Sequence, residues 1–183
     1  MCGFVVWQRV VLRDSHRFAP DGSRLGAAVH LRPMRIVIAP DKFKGCLSAQ
    51  EVAAAMAAGV TRAMPRAKVH QCPLADGGEG TVQAMVAAAD GQMRKTRVCG
   101  PLPGMRVFAR WGMIDGGKTA VIEMAEAAGL WQVPLSQRDP MLTTTFGVGE
   151  LILAAAKSGA TRLIIGIGGS ATNDGGLGAL QAM

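Results

Sequence analysis

The feature that most constrains the fold is a recurring unit in which a short apolar run ends in a loop rich in glycine and acidic residues. Three such units occur: RIVIAP before DKFKG, AKVHQCPL before DGGEGT, and TRLIIGI before GGSATNDGG. A short apolar run bounded by turn residues indicates a buried strand. In α/β sheets, ligands gather beyond the carboxyl ends of the strands. The pattern therefore predicts an α/β protein that carries polar loops at its strand ends.

The segments between these runs have the signals of helices. SAQEVAAAMAAGVTRAMP follows the first loop, with Ser48 and Glu51 at the spacing of a capping box and Pro65 as a stop. VQAMVAAAD follows the second loop, and we expect Gly91 to close that helix. Residues 35–74 therefore predict a strand–helix–strand unit.

The pattern changes after residue 91. MRKTRVCG, MRVFARWGMI and KTAVIEM are strand-like and are separated by PLPG and DGG, so we expect antiparallel strands here. A further helix is expected in TTTFGVGELILAAAKSG, with Thr144 or Thr145 near its N-cap and Gly159 beyond its end. We predict a Rossmann-like parallel-sheet domain and a second α/β domain with mixed or antiparallel strands, both incomplete. Their expected ranges are 34–91 and 92–183, after an N-terminal extension over 1–33.

Composition excludes several classes of function. The net charge is +7 without a basic cluster, which is a poor basis for binding nucleic acid. The four cysteines lack CxxC spacing and so indicate neither zinc nor a redox pair. No apolar stretch approaches the ~20 residues of a membrane span, and charges interrupt residues 1–33 as a signal peptide. We expect a cytoplasmic protein that acts on a small molecule; its oligomeric state is left open.

The glycine loops contain the chemistry-bearing residues. Glycine lets backbone N–H groups approach an anion closely. The acids of these loops could hold Mg²⁺ or accept a substrate proton, and the lysines could meet phosphate or carboxylate as point charges. The acids are Asp41, Asp76, Glu79 and Asp174, and the lysines are Lys42 and Lys44.

Two nucleotide-binding patterns also occur. GMIDGGKT, residues 112–119, matches a phosphate-binding loop, but β-like AVIEM follows where a helix is required, so we predict a hairpin turn. Gly166, Gly168 and Ala171 fit a dinucleotide fingerprint without the acidic residue expected ~20 positions later. An NAD(P)-binding oxidoreductase is therefore the weakest alternative.

Taken together, IVIAPDKFKGCLSA, PLADGGEGT, VIEMAEAAGL, LTTTFGVGEL and IGIGGSATNDGG resemble the glycerate kinase family of bacterial sugar-acid metabolism. The resemblance covers nearly all of residues 34–183. It implies ATP-dependent phosphorylation of D-glycerate to phosphoglycerate, with Mg²⁺. It also implies two α/β domains with the site in the cleft between them.

The resemblance implies a set of site residues. Asp174, Asp76 and Lys44 are the expected catalytic residues. Either Asp174 or Asp76 would accept the proton of the glycerate hydroxyl, and Lys44 would clamp a carboxylate or phosphate. The expected substrate- or nucleotide-binding residues are Asp41, Lys42, Gly77, Gly78, Glu79, Thr143, Thr144, Gly168, Gly169, Ser170 and Asn173, with the division between ATP and glycerate left open.

The resemblance also implies roughly as much chain again after Met183. We therefore expect the 183-residue polypeptide alone to lack activity and to be poorly soluble. A remnant that binds ligand without turnover is the main alternative function. Residues 1–33 are expected to be dispensable, with Met34 as the true start.

Overall fold

In a computed structural model, the structure describes residues 34–43 and 46–183. The described residues divide into two compact units, one that ends at residue 73 and one that covers residues 74–183. This division falls before the boundary expected after residue 91, because the helix over residues 81–88 packs on strands of the second unit. The expected extension over 1–33 lies outside the described residues.

The first unit is the predicted strand–helix–strand element. Strand β1 (Arg35–Ile38) pairs in parallel with β2 (Lys68–Gln71), and helix α1 (Ala49–Ala63) connects them. The capping box is present, since the Glu51 amide donates to Ser48 Oγ and the Ser48 amide donates to Glu51 Oε2. Ile38 and the buried alanines of α1 form the core of this unit.

The second unit contains the remaining regular elements. They are α2 (Thr81–Ala88), β3 (Gln92–Cys99), β4 (Arg106–Ile114), β5 (Thr119–Glu123), α3 (Met124–Ala128), α4 (Phe146–Lys157), β6 (Arg162–Gly166) and α5 (Leu177–Ala182). The four strands form one sheet in the order β3-β4-β5-β6. The first three strands are antiparallel, as predicted, and β6 joins β5 in parallel.

Helices cover both faces of this sheet. Val98, Trp111 and Ile122 on one face pack with Leu151 of α4. On the other face, Val121 packs with Val82 and Val86 of α2. Helix α4 covers one face of strand β5 and helix α2 covers the other, and all five residues of the strand are buried. Both faces of the carboxyl end of β5 are therefore shielded from water.

Residues 112–119, whose sequence matches a phosphate-binding loop, contain a turn between two strands, as predicted. Asp115–Gly117 form a short 3₁₀ turn between β4 and β5, with positive φ at Asp115 and both glycines. Lys118 is followed directly by strand β5, and not by the helix N-terminus that a phosphate-binding loop requires. The geometry that lets such a loop hold phosphate is therefore missing here.

Gly91 closes α2 as expected and has a second role as well. The residue with positive φ after α2 is Asp90, at φ 48°, while the Gly91 amide donates to the Val86 carbonyl at 2.8 Å. A Cβ on Gly91 would lie 2.5 Å from the Met113 carbonyl oxygen of β4. Gly91 is therefore required by the close approach of β4 and not by a left-handed helix cap.

No helix in the described part of the chain is long and apolar enough to cross a bilayer.

Candidate functional site

Two of the glycine loops meet in the second unit at the carboxyl ends of β5 and β6. We call residues 76–80 the first loop and residues 166–170 the second loop. The Gly168 amide donates to the Gly77 carbonyl at 3.0 Å. A Cβ on Gly168 would lie 2.7 Å from the Gly78 nitrogen, and a Cβ on Gly166 would overlap the Gly77 carbonyl. Glycine is therefore required because the two backbones touch.

Two carboxylates of the first loop flank this contact. A Cβ on Gly169 would lie 2.6 Å from Glu79 Oε1, so the Glu79 carboxylate reaches the second loop. Asp76 is exposed, and its Oδ1 accepts a hydrogen bond from the Gly78 amide at 3.0 Å. The structure therefore brings Asp76, Glu79 and the glycines of both loops together.

Asp174 makes a dense set of hydrogen bonds. Its Oδ2 accepts from the amide and the hydroxyl of Thr145, both at 2.9 Å, and from the Gly178 amide at 3.2 Å. Its Oδ1 accepts from the Gly176 amide at 3.1 Å. Burial opposes the charge, but the bonds from Thr145, Gly176 and Gly178 together lower the pKa of Asp174. Asp174 therefore joins the beginning of α4 to the beginning of α5 as an ionised carboxylate.

The threonines before α4 fix the segment that follows the second loop. Thr143 is buried, and its hydroxyl donates to the Ala171 carbonyl at 2.9 Å. The Thr144 hydroxyl accepts from the Phe146 amide at 3.2 Å and lies against Gly178. Thr145 is the N-cap residue of α4, in agreement with the expectation for Thr144 or Thr145.

The second loop is also supported from the side of α3. The Leu130 amide donates to the Gly169 carbonyl at 2.9 Å, and the Ala171 amide donates to the Ala128 carbonyl at 2.8 Å. Ser170 Oγ accepts from the Thr172 amide at 3.1 Å. Asn173 is exposed beyond this turn. Ser170 therefore stabilises the loop through its own hydroxyl.

The first two amides of α2 are hydrogen-bonded within the protein. The Thr81 amide donates to the Gly78 carbonyl at 3.1 Å, and the Val82 amide donates to Glu123 Oε1 at 2.6 Å. An anion at a helix N-terminus is held by such amides. The α2 terminus thus differs from a phosphate-binding terminus, because a protein carboxylate already occupies that position.

Glu123 is a residue that the sequence analysis did not select. Its side chain is fully buried at the end of β5, and burial raises its pKa against the opposing hydrogen bond from Val82. The signal was an acid at the end of the apolar run TAVIE, in a segment predicted to be a strand. An acid at the end of a strand can be exposed to solvent, or it can be buried with a structural or functional role. The sequence does not distinguish these two cases, and the fold does.

Two of the expected site residues that the structure describes, Asp41 and Lys42, belong to the first unit. Asp41 is exposed, and its Oδ1 accepts from the Lys42 amide at 2.7 Å. The expected catalytic Lys44 lies outside the described residues. Among the described residues, no group of three or more His, Cys, Asp or Glu side chains could hold a metal ion.

The fingerprint for a dinucleotide does not have its structural context. It requires a helix that begins within the motif, directly after the strand. Here α5 begins only at Leu177, after a loop fixed by Asp174. The alternative of an NAD(P)-binding oxidoreductase finds no support in this arrangement.

Comparison with known proteins shows which family the chain is similar to. A family model described as the glycerate kinase family matches residues 36–183. The chain is 58% identical over 150 residues to Glycerate 2-kinase of Escherichia coli (strain K12), covering 82% of this chain and 39% of that protein. It is 56% identical over 150 residues to Glycerate kinase of Bacillus subtilis (strain 168), with the same shares of each chain.

A solved structure gives the same result for the fold. The crystal structure of a protein from Salmonella typhimurium LT2, assigned as glycerate kinase 2, matches with a TM-score of 0.68 and 55% identity. The match covers 82% of this chain and 40% of that chain. The chain thus spans about two fifths of the length of the relatives it matches. Because the matching family model extends over most of the sequence, the chain belongs to the glycerate kinase family.

Proposed function

We propose that this chain supplies part of a glycerate kinase, which transfers the γ-phosphate of ATP to a hydroxyl of D-glycerate. The observation that carries the proposal is the contact between the two glycine loops at the ends of β5 and β6. Phosphoryl transfer depends on positioning and charge neutralisation more than on covalent chemistry. Two rigid backbone loops flanked by carboxylates suit that requirement.

The second loop is our candidate for contact with phosphate. Gly169 is exposed at the turn of the loop, and its carbonyl is held by the Leu130 amide. This hydrogen bond fixes the backbone of Gly169 and Ser170, and fixed donors stabilise charge without reorganisation. We assign Lys42 and Lys44 the role of point charges for a carboxylate or phosphate.

Of the two carboxylates expected to accept the hydroxyl proton, we favour Asp76. Asp174 accepts hydrogen bonds on both oxygens and has a lowered pKa, so its carboxylate is stabilised against taking up a proton. Asp76 is exposed in the first loop. Asp174 then acts by holding Thr145 and the start of α5 in place.

The residues present are compatible with Mg²⁺ and ATP. Mg²⁺ prefers oxygen ligands and is usually held by one or two carboxylates together with phosphate oxygens and waters. Glu79 supplies a carboxylate of that kind beside the second loop, which leaves Asp76 to accept the hydroxyl proton. When bound, the ion would neutralise charge on the phosphates. We also propose that the protein acts in the cytoplasm.

The test is a hybrid enzyme. The matched 150 residues of the Escherichia coli relative are replaced by the corresponding segment of this chain, and ADP release is followed with D-glycerate and Mg-ATP. We expect ADP release that depends on D-glycerate. Asp76→Asn should lower turnover by about 100-fold or more, as expected for loss of a general base. Asp90→Asn, at an exposed residue after α2, is the matched control and should leave turnover unchanged.

The other outcomes separate the alternatives. A folded hybrid that binds D-glycerate or Mg-ATP without releasing ADP would favour the ligand-binding remnant. A folded hybrid that binds neither would overturn the proposal. The similarity to a protein named Glycerate 2-kinase favours the 2-hydroxyl as acceptor, so the product should be 2-phosphoglycerate. The 183-residue chain alone, assayed in parallel, is expected to show no turnover.

A further inference from the structure

The side chain of Glu123 is unusual for the interior of a protein. It is fully buried, Oε1 accepts from the Val82 amide at 2.6 Å, and Oε2 is buried with no hydrogen-bond partner among the described residues. Burying a carboxylate with unsatisfied valence is costly, and an apolar residue of similar volume is often tolerated better. Core packing alone therefore does not explain an acid at this position.

The position of Glu123 gives it a direct connection to both loops. It ends β5, where its register partner is Gly166 of β6. Gly166 in turn touches Gly77, because a Cβ on Gly77 would lie 3.8 Å from the Gly166 Cα. On its other side, the carboxylate binds the first turn of α2 through the Val82 amide. Glu123 thus spans from the sheet to the helix that follows the first loop.

We propose that Glu123 is a positioning residue for the phosphoryl-transfer site, an inference that rests on the function proposed above. By fixing the first turn of α2 to the end of β5, its carboxylate sets the position of the first loop against the second. The hydrogen bond from the Gly168 amide to the Gly77 carbonyl is the contact that depends on this setting. Glu123 itself acts through the backbone and does not touch the substrate.

The first test measures amide hydrogen exchange in the folded hybrid enzyme without substrate, so it does not depend on activity. Glu123→Ala removes the acceptor for the Val82 amide. We expect exchange at Val82 and Gly168 to become about tenfold faster, the effect of losing one hydrogen bond. Glu123→Gln keeps an acceptor oxygen and should retain most of the protection.

Glu126→Gln is the matched control. Glu126 is also buried, but it accepts from the Arg110 backbone and side chain. It should leave exchange at Gly168 unchanged. Unchanged exchange at Gly168 in Glu123→Ala would overturn the proposal. If that variant fails to fold, Glu123→Met decides, because it removes the acceptor and keeps most of the side-chain volume. Faster exchange at Val82 and Gly168 in Glu123→Met, absent in Glu126→Gln, supports the proposal, and unchanged exchange overturns it.

The hybrid enzyme distinguishes this inference from the proposed function. There, Glu123→Ala should lower kcat by about tenfold, the effect of a misplaced group remote from the chemistry, with KM for D-glycerate little changed. Glu123→Gln should restore most of kcat. An inactive hybrid with a responsive Gly168 amide would refute the function and keep the positioning role. An active hybrid in which Glu123→Ala changes neither kcat nor Gly168 exchange would refute the positioning role alone.

Discussion

Asp174 shows what a single residue contributes to the structure of the site. Its identity as an acid in a glycine loop was visible in the sequence, and a role in the site was predicted from it. Its partner Thr145 could not be predicted, because the two are far apart in the chain and meet only through tertiary packing. The same applies to Glu123, whose burial depends on helices covering both faces of β5. Residue type was therefore predictable, and residue environment was not.

For Asp174→Asn we predict a loss of stability at neutral pH. Hydrogen bonds to a charged group contribute more than neutral ones, so the free energy of unfolding should fall by about 2 kcal/mol. Because its folded pKa lies below the ordinary aspartate value of 3.8, this stabilisation is present above that value and is lost as the pH falls through the lowered pKa. Denaturant unfolding at pH 7 and at acidic pH measures the difference. An equal loss at both pH values would contradict the electrostatic explanation.

Glu123→Gln should show the opposite pH dependence. The pKa of Glu123 is raised, so its contribution to stability is fully present below the ordinary value of 4.5 and is lost as the pH rises through the raised pKa. Glutamine does not titrate. The melting temperature of the variant relative to wild type should therefore increase from pH 4.5 to pH 7.5. Thermal unfolding followed by circular dichroism is the measurement, and a decrease over this range would refute the assignment.

At the scale of elements, the sequence predicted the order and type of nearly every strand and helix. The capping box of α1, the antiparallel strands β3 to β5 and the turn at residues 115–117 all follow from local signals, and all are confirmed. Gly91 closes α2 as expected, through the bond from its amide to the Val86 carbonyl, but glycine is required there by the close approach of β4, which is a tertiary effect. Glycines selected for close packing look the same in sequence as glycines selected for turns.

Gly168→Ala tests whether backbone contact fixes the two loops. The added Cβ would lie within 3.0 Å of Gly78 and Gly77 backbone atoms, and the loops must separate to accept it. We expect a loss of about 1–3 kcal/mol of stability, as in overpacked interiors. Gly59→Ala, in the middle of α1 with open space around it, is the control and should stabilise by about 0.5–1 kcal/mol. Urea unfolding of both variants decides, and a neutral Gly168→Ala would contradict the contact.

At the scale of the whole molecule, β6 is the most exposed part of the second unit's sheet. It is an edge strand, and Leu163, Ile164 and Ile165 are each more than one third exposed. An open apolar edge favours pairing with another chain. The expectation of poor solubility, made from the sequence, stays a prediction, and this edge gives it a structural cause.

We predict that the 183-residue chain self-associates through β6. Ile164→Lys places a charge on the edge and should shift the sedimentation profile towards the monomer. Leu135→Lys is the control, because Leu135 is more exposed, at 81%, but lies outside the sheet. If both variants shift the sedimentation profile towards the monomer by the same amount, general surface hydrophobicity drives the association, and the strand edge does not.

The contact between the two loops also has a consequence for biosynthesis. The Gly168 amide and the Gly77 carbonyl are 91 positions apart in the chain. At translation rates of roughly 5–20 residues per second, the first loop is made about 5–18 seconds before the glycine that completes it. During that interval the β3–β4 hairpin can form from local contacts, whereas the loop pair cannot. The nascent chain therefore acquires its scaffold first and its loop contact among the last steps of folding.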